Sequence, residues 1–216
     1  MNERQGPSAD HSTAANDFEQ MYEGRPPWDI GKPQPAFVNV AEDIQGSVLD
    51  VGCGTGENSL FFAERGHKVT GLDFVEPPLQ IARQKAAERG IDVQFIQHDA
   101  LQVDQLDRQF DNVLDSGLFH GLSDEDRVQY AAVIGKVLVP EGKLYLQCFS
   151  DQEPDGDGPR RISEAELREV FKSGWQIVSI TPSRFVVRED TQLTFSEGGP
   201  KSWFCVVKRV SETTGV

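Results

Sequence analysis

Strand-like and helix-like segments alternate regularly along most of this chain, and this alternation constrains its fold most strongly. Short apolar runs bounded by turn residues are typical of buried strands. Such runs occur at 47–52 (SVLDVG), 68–74 (KVTGLDF), 93–99 (VQFIQHD), 110–117 (FDNVLDSG) and 143–150 (KLYLQCFS). Helical patterns occupy residues 57–65, 77–89, 124–138 and 164–172. Strands alternating with helices predict right-handed crossovers and a mostly parallel sheet.

The last two strand-like segments follow a different pattern. WQIVSITPSRFVV (175–187) and SWFCVVKR (202–209) are separated by a loop without a helical pattern. They therefore predict an antiparallel hairpin at one edge of the sheet. The polar residues 1–16 and the residues 210–216 are interpreted as flexible tails, and we expect residues 17–209 to form a single domain.

Charge and composition exclude several classes of partner. The 216 residues include 35 Asp and Glu but only 21 Lys and Arg, a net charge of −14. This excess argues against binding to nucleic acid or to an anionic membrane, since both require clustered basic residues. No apolar run approaches the roughly 18 residues of a membrane-spanning helix. The start of the sequence lacks the apolar core of a secretory signal. We expect a soluble, cytoplasmic protein.

The three cysteines, Cys53, Cys148 and Cys205, are widely spaced and fit neither a disulfide framework nor a zinc site. The histidines show no metal-ligand spacing either. We therefore expect reduced cysteines and no bound metal.

A glycine-rich segment, Leu49 to Gly56 (LDVGCGTG), follows the first predicted strand and opens a helix. Glycines at this place allow a close approach of the backbone to a ligand. Gly52 and Gly54 match the first two glycines of the dinucleotide fingerprint, but its third glycine falls on Glu57. A carboxylate beside a pyrophosphate is unfavourable, and no Gly-Lys-Ser/Thr of a phosphate-binding loop follows. The loop suits a nucleoside whose tail is not a phosphate.

Acidic residues lie at the ends of the first three predicted strands. Asp50 precedes the glycines, Asp73 ends the second strand and Asp99 ends the third. Asp73 could accept hydrogen bonds from ribose hydroxyls, and Asp99 could accept one from an adenine amino group. Each acid could instead cap the following helix or turn.

In these residues the chain resembles class I S-adenosylmethionine-dependent methyltransferases, over roughly residues 17–209. The resemblance implies a Rossmann-like, seven-stranded α/β sheet with helices on both faces and strand seven antiparallel. It implies S-adenosylmethionine as cofactor, S-adenosylhomocysteine as product and no metal. Asp50 and the glycines would lie beside the methionine part, Asp73 at the ribose, and Phe74, Asp99 and Ala100 at the adenine. The cofactor-binding residues expected in all are Trp28, Gln34, Asp50, Gly52, Gly54, Asp73, Phe74, Asp99, Ala100 and Asp115.

Two further segments, PPWDIGKPQP (26–35) and LDSGLFHGL (114–122), are similar to the small-molecule branch of this family. That branch contains thiol and halide, thiopurine and heterocyclic-toxin methyltransferases. In it, a segment corresponding to residues 17–40 covers the cofactor, so Trp28 would pack on the cofactor and Gln34 would help to close the site. A short helix through Phe18 and Tyr22 is predicted. The thiol and halide enzymes carry tryptophans in this region, where this chain has Phe18, Met21 and Tyr22, and this difference weakens the case for a thiol or halide acceptor.

Candidate residues for the methyl acceptor lie at the end of the fourth predicted strand. Methyl transfer requires alignment of the reacting atoms and, for a protonated acceptor, a general base. His120 is the candidate base, although it could instead cap a helix or pack in a loop. Tyr22 is a second catalytic candidate, and with Phe119 it would form an aromatic wall. Arg161 would steer an anionic acceptor or pair with neighbouring acids.

The sequence thus predicts a methyltransferase that modifies an S, N or O atom of a small molecule, with aromatic heterocycles among the options. The alternatives are a halide, thiocyanate or tellurite methyltransferase, and a cofactor-binding module without catalysis. We expect a monomer or a weak homodimer.

Overall fold

One seven-stranded sheet organises the protein. The computed structural model describes residues 20–210, so the predicted tails lie outside the described residues, apart from Val210. The strands are β1 (Val48–Val51), β2 (Val69–Asp73), β3 (Gln94–Gln97), β4 (Phe110–Ser116), β5 (Leu138–Phe149), β6 (Trp175–Arg184) and β7 (Lys201–Arg209). Their order is β3-β2-β1-β4-β5-β7-β6. The predicted strands are confirmed, with β5 beginning five residues earlier than expected.

The strand directions follow the prediction as well. Strands β1 to β5 pair in parallel, and β7 pairs antiparallel with both β5 and β6. The strand order reverses between β1 and β4, because β2 and β3 lie on one side of β1 and β4 lies on the other. In open α/β sheets, ligands bind outside the carboxyl ends of the strands at such a point.

Five α-helices follow the N-terminal helical turn in the described part of the chain. They are α1 (Pro35–Asn39), α2 (Glu57–Ala63), α3 (Glu76–Arg89), α4 (Asp124–Val137) and α5 (Glu164–Val170). The last four were predicted. The α5 helix begins with the expected capping box, in which the Ser163 and Glu166 side chains each accept a backbone hydrogen bond from the other residue. The predicted N-terminal helix is present at residues 20–23, whereas Phe18 lies outside the described residues.

Helices cover both faces of the sheet, as the resemblance implied. On one face, Tyr130 of α4 and Leu167 of α5 belong to the largest hydrophobic cluster. On the other face, Phe37 of α1 and Phe62 of α2 pack with Phe204 of β7. Phe37 has no exposed surface and meets the Phe204 ring edge-to-face at 5.4 Å. Burial of such a side chain contributes roughly 1.5–3 kcal/mol, which anchors the N-terminal segment to the sheet.

Between residues 20 and 210, no helix is long and apolar enough to span a membrane.

Candidate active site

The glycine loop adopts a backbone that only glycines accommodate easily. Gly52, Gly54 and Gly56 have φ angles of 65°, 53° and 82°. A Cβ atom on Gly52 would lie 3.2 Å from the Leu118 Cβ, and one on Gly54 would lie 2.8 Å from the Tyr22 hydroxyl oxygen. The missing side chains at Gly52 and Gly54 therefore let the loop backbone pack closely against Leu118 after β4 and Tyr22 of the N-terminal segment, at the switch point.

Asp73 fastens this loop to the end of β2. Its Oδ2 accepts a hydrogen bond from the Gly54 N–H at 2.9 Å, and its Oδ1 accepts one from the Val75 N–H at 3.0 Å. The residue is only 6% exposed, and burial raises the pKa of its carboxyl. A carboxylate oxygen has two lone pairs, so each oxygen can still accept a further hydrogen bond from a ligand.

Asp50 lies beneath the glycine loop on β1. Its Oδ2 accepts a hydrogen bond from the Ser59 hydroxyl at 2.6 Å. Its Oδ1 is buried and has no hydrogen-bond partner among residues 20–210. Burial raises the pKa of Asp50 to about 7. A buried carboxylate with one unsatisfied oxygen is suited to a nearby cation or donor.

Asp115, at the end of β4, has three protein donors. The Tyr130 hydroxyl donates to Oδ2 at 2.7 Å, and the N–H groups of Leu118 and Phe119 donate to Oδ1 at 2.9 and 3.3 Å. Burial raises its pKa to about 6. The residue has no exposed surface. Asp115 thus holds the segment after β4 in place, and the structure gives no support to the expected direct contact with a cofactor.

The residues expected at the adenine lie at the carboxyl ends of β2 and β3. Asp99 caps the 3-10 helix that begins at Ala100, since its Oδ1 accepts a hydrogen bond from the Leu101 N–H at 2.9 Å. The Phe74 carbonyl accepts one from the Gln97 amide at 3.1 Å. Ala100 is buried and Phe74 half-buried. The capping alternative for Asp99 is realised, and binding of adenine stays a prediction.

The N-terminal cover (residues 20–40) lies over the glycine loop. The Trp28 indole N–H donates to the Tyr22 hydroxyl at 3.2 Å, and the two rings meet edge-to-face. The Thr55 hydroxyl, in the glycine loop, donates to Asp29 of the cover at 3.1 Å. Burial and the charge of Asp73 raise the pKa of Tyr22. Tyr22 is therefore a neutral hydroxyl placed directly over Gly54.

Gln34 joins the cover to the β6–β7 loop (residues 185–200). Its side-chain amide donates to the Val186 carbonyl at 2.8 Å and accepts from the Val186 N–H at 2.9 Å. The side chain is 6% exposed. A third link is the hydrogen bond from the Arg188 N–H to the Pro27 carbonyl at 2.9 Å. The sequence did not identify Val186 as the partner, because nothing local marks a backbone contact 152 residues away.

His120 lies in an aromatic cluster at the carboxyl ends of β4 and β5. Its ring meets Phe149 and Phe185 edge-to-face at 5.2 and 6.0 Å, and these two phenylalanines stack at 5.5 Å. The Phe149 N–H donates to His120 Nδ1 at 3.1 Å. Burial and the charges of Arg127 and Arg161 lower the pKa of His120 to about 3. The ring is neutral with its proton on Nε2, which does not support the expected role as a base.

Phe119 does not line the site. Its ring has no exposed surface, and it stacks on Phe171 at 5.9 Å within the main hydrophobic cluster. The expected aromatic wall at Phe119 is therefore wrong, because the 3-10 turn after β4 directs this side chain into the core. Phe149 and Phe185 lie beside His120 instead. The sequence placed both in strands but gave no sign that they meet.

Arg161 binds backbone rather than acids. Its guanidinium donates to the carbonyls of Pro154, Asp157 and Pro159 at 2.7, 2.8 and 2.5 Å. Its Cζ lies 5.5 Å from the Phe149 ring centroid. The neighbouring Arg160 is the residue that pairs with carboxylates. Arg161 therefore organises the loop after β5, and its charge, rather than a direct contact, reaches the site.

In the described residues, no group of three or more His, Cys, Asp or Glu side chains is placed to hold a metal ion.

Comparison with known proteins identifies the family. A family profile described as "Methyltransferase domain" matches residues 48–142. The chain is 38% identical over 196 residues to the 2-heptyl-1-hydroxyquinolin-4(1H)-one methyltransferase of Mycobacteroides abscessus, covering 84% of this chain and 85% of that protein. The chain is also similar to a structure solved for the conversion of a disulfide bond into a thioacetal group during echinomycin biosynthesis. The two chains are 32% identical, with a TM-score of 0.82 over 93% of both.

A second solved structure has the same fold. The 1,6-didemethyltoxoflavin-N1-methyltransferase of Burkholderia thailandensis, solved with its substrate and S-adenosylhomocysteine, matches with 24% identity and a TM-score of 0.71. The match covers 98% of this chain and 94% of that one. Together with the sheet order and the left-handed glycine loop at the switch point, these matches show that the chain belongs to the class I S-adenosylmethionine-dependent methyltransferases.

Proposed function

We propose that this protein transfers the methyl group of S-adenosylmethionine to an S, N or O atom of a small aromatic heterocycle. The observation that carries the proposal is the proximity of the glycine loop to an aromatic cluster. Leu118 packs on Gly52, and the preceding Gly117 lies against the His120 ring, with 3.2 Å from its Cβ position to His120 Cε1. A cofactor on the loop would therefore face an acceptor held beside His120.

The residues at the loop fit this cofactor. Three left-handed glycines leave room along the backbone, and the half-satisfied carboxylate of Asp50 suits a cationic ligand. In our proposal Asp73 holds the ribose, Phe74, Asp99 and Ala100 border the adenine, and Trp28 with Tyr22 covers the bound molecule. When bound, S-adenosylmethionine supplies a methyl group that is activated by the positive charge of the sulfonium.

The protein's own contribution is then alignment and exclusion of water. Phe149 and Phe185 stack on each other beside His120 and are only 6% and 5% exposed, so in our proposal they form a closely packed apolar boundary that favours a planar acceptor. The cover and the β6–β7 loop are tied together by Gln34, so they close over the site as one unit. Holding two reactants in line can lower a barrier by roughly 7–11 kcal/mol, so neither a metal nor a covalent intermediate is required.

The named relatives support a heterocyclic acceptor without fixing the methylated atom. One relative is named for a hydroxyquinolinone, and a structural neighbour is named for N-methylation of a toxoflavin precursor. The echinomycin structure is named for the conversion of a disulfide bond into a thioacetal group, which is chemistry at sulfur. The aromatic cluster favours a ring over a halide, thiocyanate or tellurite ion, which would gain little from stacking.

Calorimetry with S-adenosylmethionine and S-adenosylhomocysteine is the first test, and binding of neither would refute the proposal. The second is a panel of thiols, halides, phenols and hydroxyquinolines, read out by release of S-adenosylhomocysteine. Turnover of ring compounds supports the proposal. Preferential turnover of halides would favour the ion methyltransferase, and cofactor binding without turnover of any acceptor would favour the non-catalytic module.

A further inference from the structure

The His120 side chain offers a hydrogen-bond donor to the acceptor, not a proton-accepting lone pair. A neutral imidazole has one N–H and one lone pair. The lone pair on Nδ1 is used by the Phe149 N–H at 3.1 Å. The proton must therefore reside on Nε2, which lies 3.6 Å from the Cβ position of Gly117. The Nε2–H therefore lies against Gly117, and the next residue, Leu118, packs on Gly52 of the glycine loop.

Positive charge surrounds this donor. The charged groups that act on His120 are Arg127 of α4 and Arg161 after β5. The rings packed against it, Phe149 of β5 and Phe185 of the β6–β7 loop, carry no charge. Two cations and an N–H donor together favour an anion.

The two arginines are not equally neutralised. Arg127 is paired with Asp124 at 3.0 Å and lies 4.0 Å from Glu166. Arg161 has no carboxylate within salt-bridge distance anywhere in residues 20–210, because its donors bind backbone carbonyls. The nearby Glu153 accepts hydrogen bonds from two backbone N–H groups at 2.9 Å. Hydrogen bonds from these backbone groups and the charge of Arg161 together lower the pKa of Glu153, and the same charge lowers the pKa of His120, so Arg161 acts on both residues.

We propose, building on the proposed function, that the acceptor binds as its conjugate base and that His120 Nε2–H holds the anionic atom instead of removing a proton from it. The substrate class is then a ring compound whose nucleophile is acidic: an N-hydroxy heterocycle, an acidic phenol or a heteroaryl thiol. The anionic atom forms the bond to the methyl carbon, the carbon–sulfur bond breaks, and its electron pair remains on sulfur. Because an anion reacts with a sulfonium cation to give two products without these charges, the transfer step releases no proton and requires no general base.

Substitution of His120 distinguishes a donor from a base. His120→Gln keeps an N–H near the Nε2 position but cannot act as a base at neutral pH, whereas His120→Ala removes both. We expect the Gln variant to stay within about fivefold of the parent in kcat, and the Ala variant to raise KM by roughly 10- to 100-fold, the worth of a hydrogen bond to a charged atom. If His120 is a base, both variants lose about 100-fold or more in kcat, which would overturn the proposal. His67→Gln is the matched control, because His67 precedes the start of β2 and so lies at the opposite ends of the parallel strands from His120.

Two readouts do not depend on turnover. In the complex with S-adenosylhomocysteine, ¹⁵N NMR of labelled imidazole should show His120 as the Nε2–H tautomer from pH 5 to 8; a proton on Nδ1 would overturn the proposal. Bound 4-nitrophenol should show its phenolate absorption at a lower pH than the free compound, and an unchanged or higher pH would also overturn the proposal.

If 4-nitrophenol and N-hydroxyquinolones fail to bind while S-adenosylmethionine binds, the anionic acceptor is refuted and the methyltransferase assignment stands. Failure of the cofactor to bind would refute the proposed function itself.

Discussion

Gln34 is the residue whose replacement tests most directly whether the cover and the β6–β7 loop act as one unit. Its amide makes two hydrogen bonds to the Val186 backbone, at 2.8 and 2.9 Å, and the side chain is nearly inaccessible. Gln34→Ala removes both bonds and leaves the Val186 N–H and carbonyl without these partners. The end of the cover stays attached to the sheet, because Phe37 keeps its contact with Phe204.

The free-energy cost of Gln34→Ala follows from the loss of those two hydrogen bonds. Each contributes about 1 kcal/mol net, and Val186 is half-buried, so the loss of partners adds a modest further cost. A total of about 2 kcal/mol corresponds to a roughly 30-fold more frequent opening of the cover. The affinity for S-adenosylmethionine should fall by up to the same factor, since a ligand that needs the closed state loses affinity in proportion to its population.

Hydrogen exchange measured by mass spectrometry checks the opening directly. Amides of residues 20–34 and 185–190 should exchange faster together in Gln34→Ala, while those of β1 and β4 keep their protection. Gln45→Ala is the matched control, because the Gln45 side chain makes only an exposed hydrogen bond to the Glu42 carbonyl, at 3.2 Å. Unchanged exchange in both segments, together with unchanged cofactor affinity by calorimetry, would refute the idea of a joined cover.

Three further outcomes are expected. Asp73→Asn should weaken binding of S-adenosylmethionine by about 1–3 kcal/mol in calorimetry, the cost of unsatisfied buried hydroxyls; equal affinity would remove Asp73 from the ribose. Gly54→Ala should lower the free energy of unfolding by about 1–2 kcal/mol in urea titrations, from its left-handed φ of 53°. Adding Tyr22→Phe should recover part of the loss, because the hydroxyl oxygen lies 2.8 Å from the new methyl group. Finally, the raised pKa of Asp50, about 7, predicts proton release on binding S-adenosylmethionine at pH 6, visible as buffer-dependent heat and absent in Asp50→Asn.

The sequence predicted the sheet and four helices because their signals are local. Buried parallel strands are continuous apolar runs, and the capping box before Glu164 announces α5. The helix Pro35–Asn39 was missed because five residues offer too little periodicity. It forms because Pro35 suits a first helical turn and Phe37 finds a pocket made by residues distant in sequence.

The cofactor half and the acceptor half of the candidate site likewise differ in how far local sequence signals predict them. The cofactor half could be predicted because Gly52, Gly54 and Asp73 are marked by motif and spacing, and their contact with the cofactor stays a prediction. The acceptor half depends on packing between β4, β5 and the β6–β7 loop, where Phe149 and Phe185 meet. No spacing rule brings these two together, so the sequence offered Phe119 instead, the aromatic residue next to His120.

The positions of three buried carboxyl groups matter more for ligand binding than the net charge of −14. Asp50, Asp73 and Asp115 have no Lys or Arg within salt-bridge distance in the described chain, and burial raises the pKa of each. Carboxyls whose folded pKa is raised hold protons that the unfolded chain has lost, so their contribution to stability declines as the pH rises from about 4 towards 7. A bound sulfonium cation would reverse this decline by favouring the ionised form. The neutral sulfur of the product would not, so in the proposed function these carboxylates would favour S-adenosylmethionine over S-adenosylhomocysteine and thereby assist release of the product after each transfer.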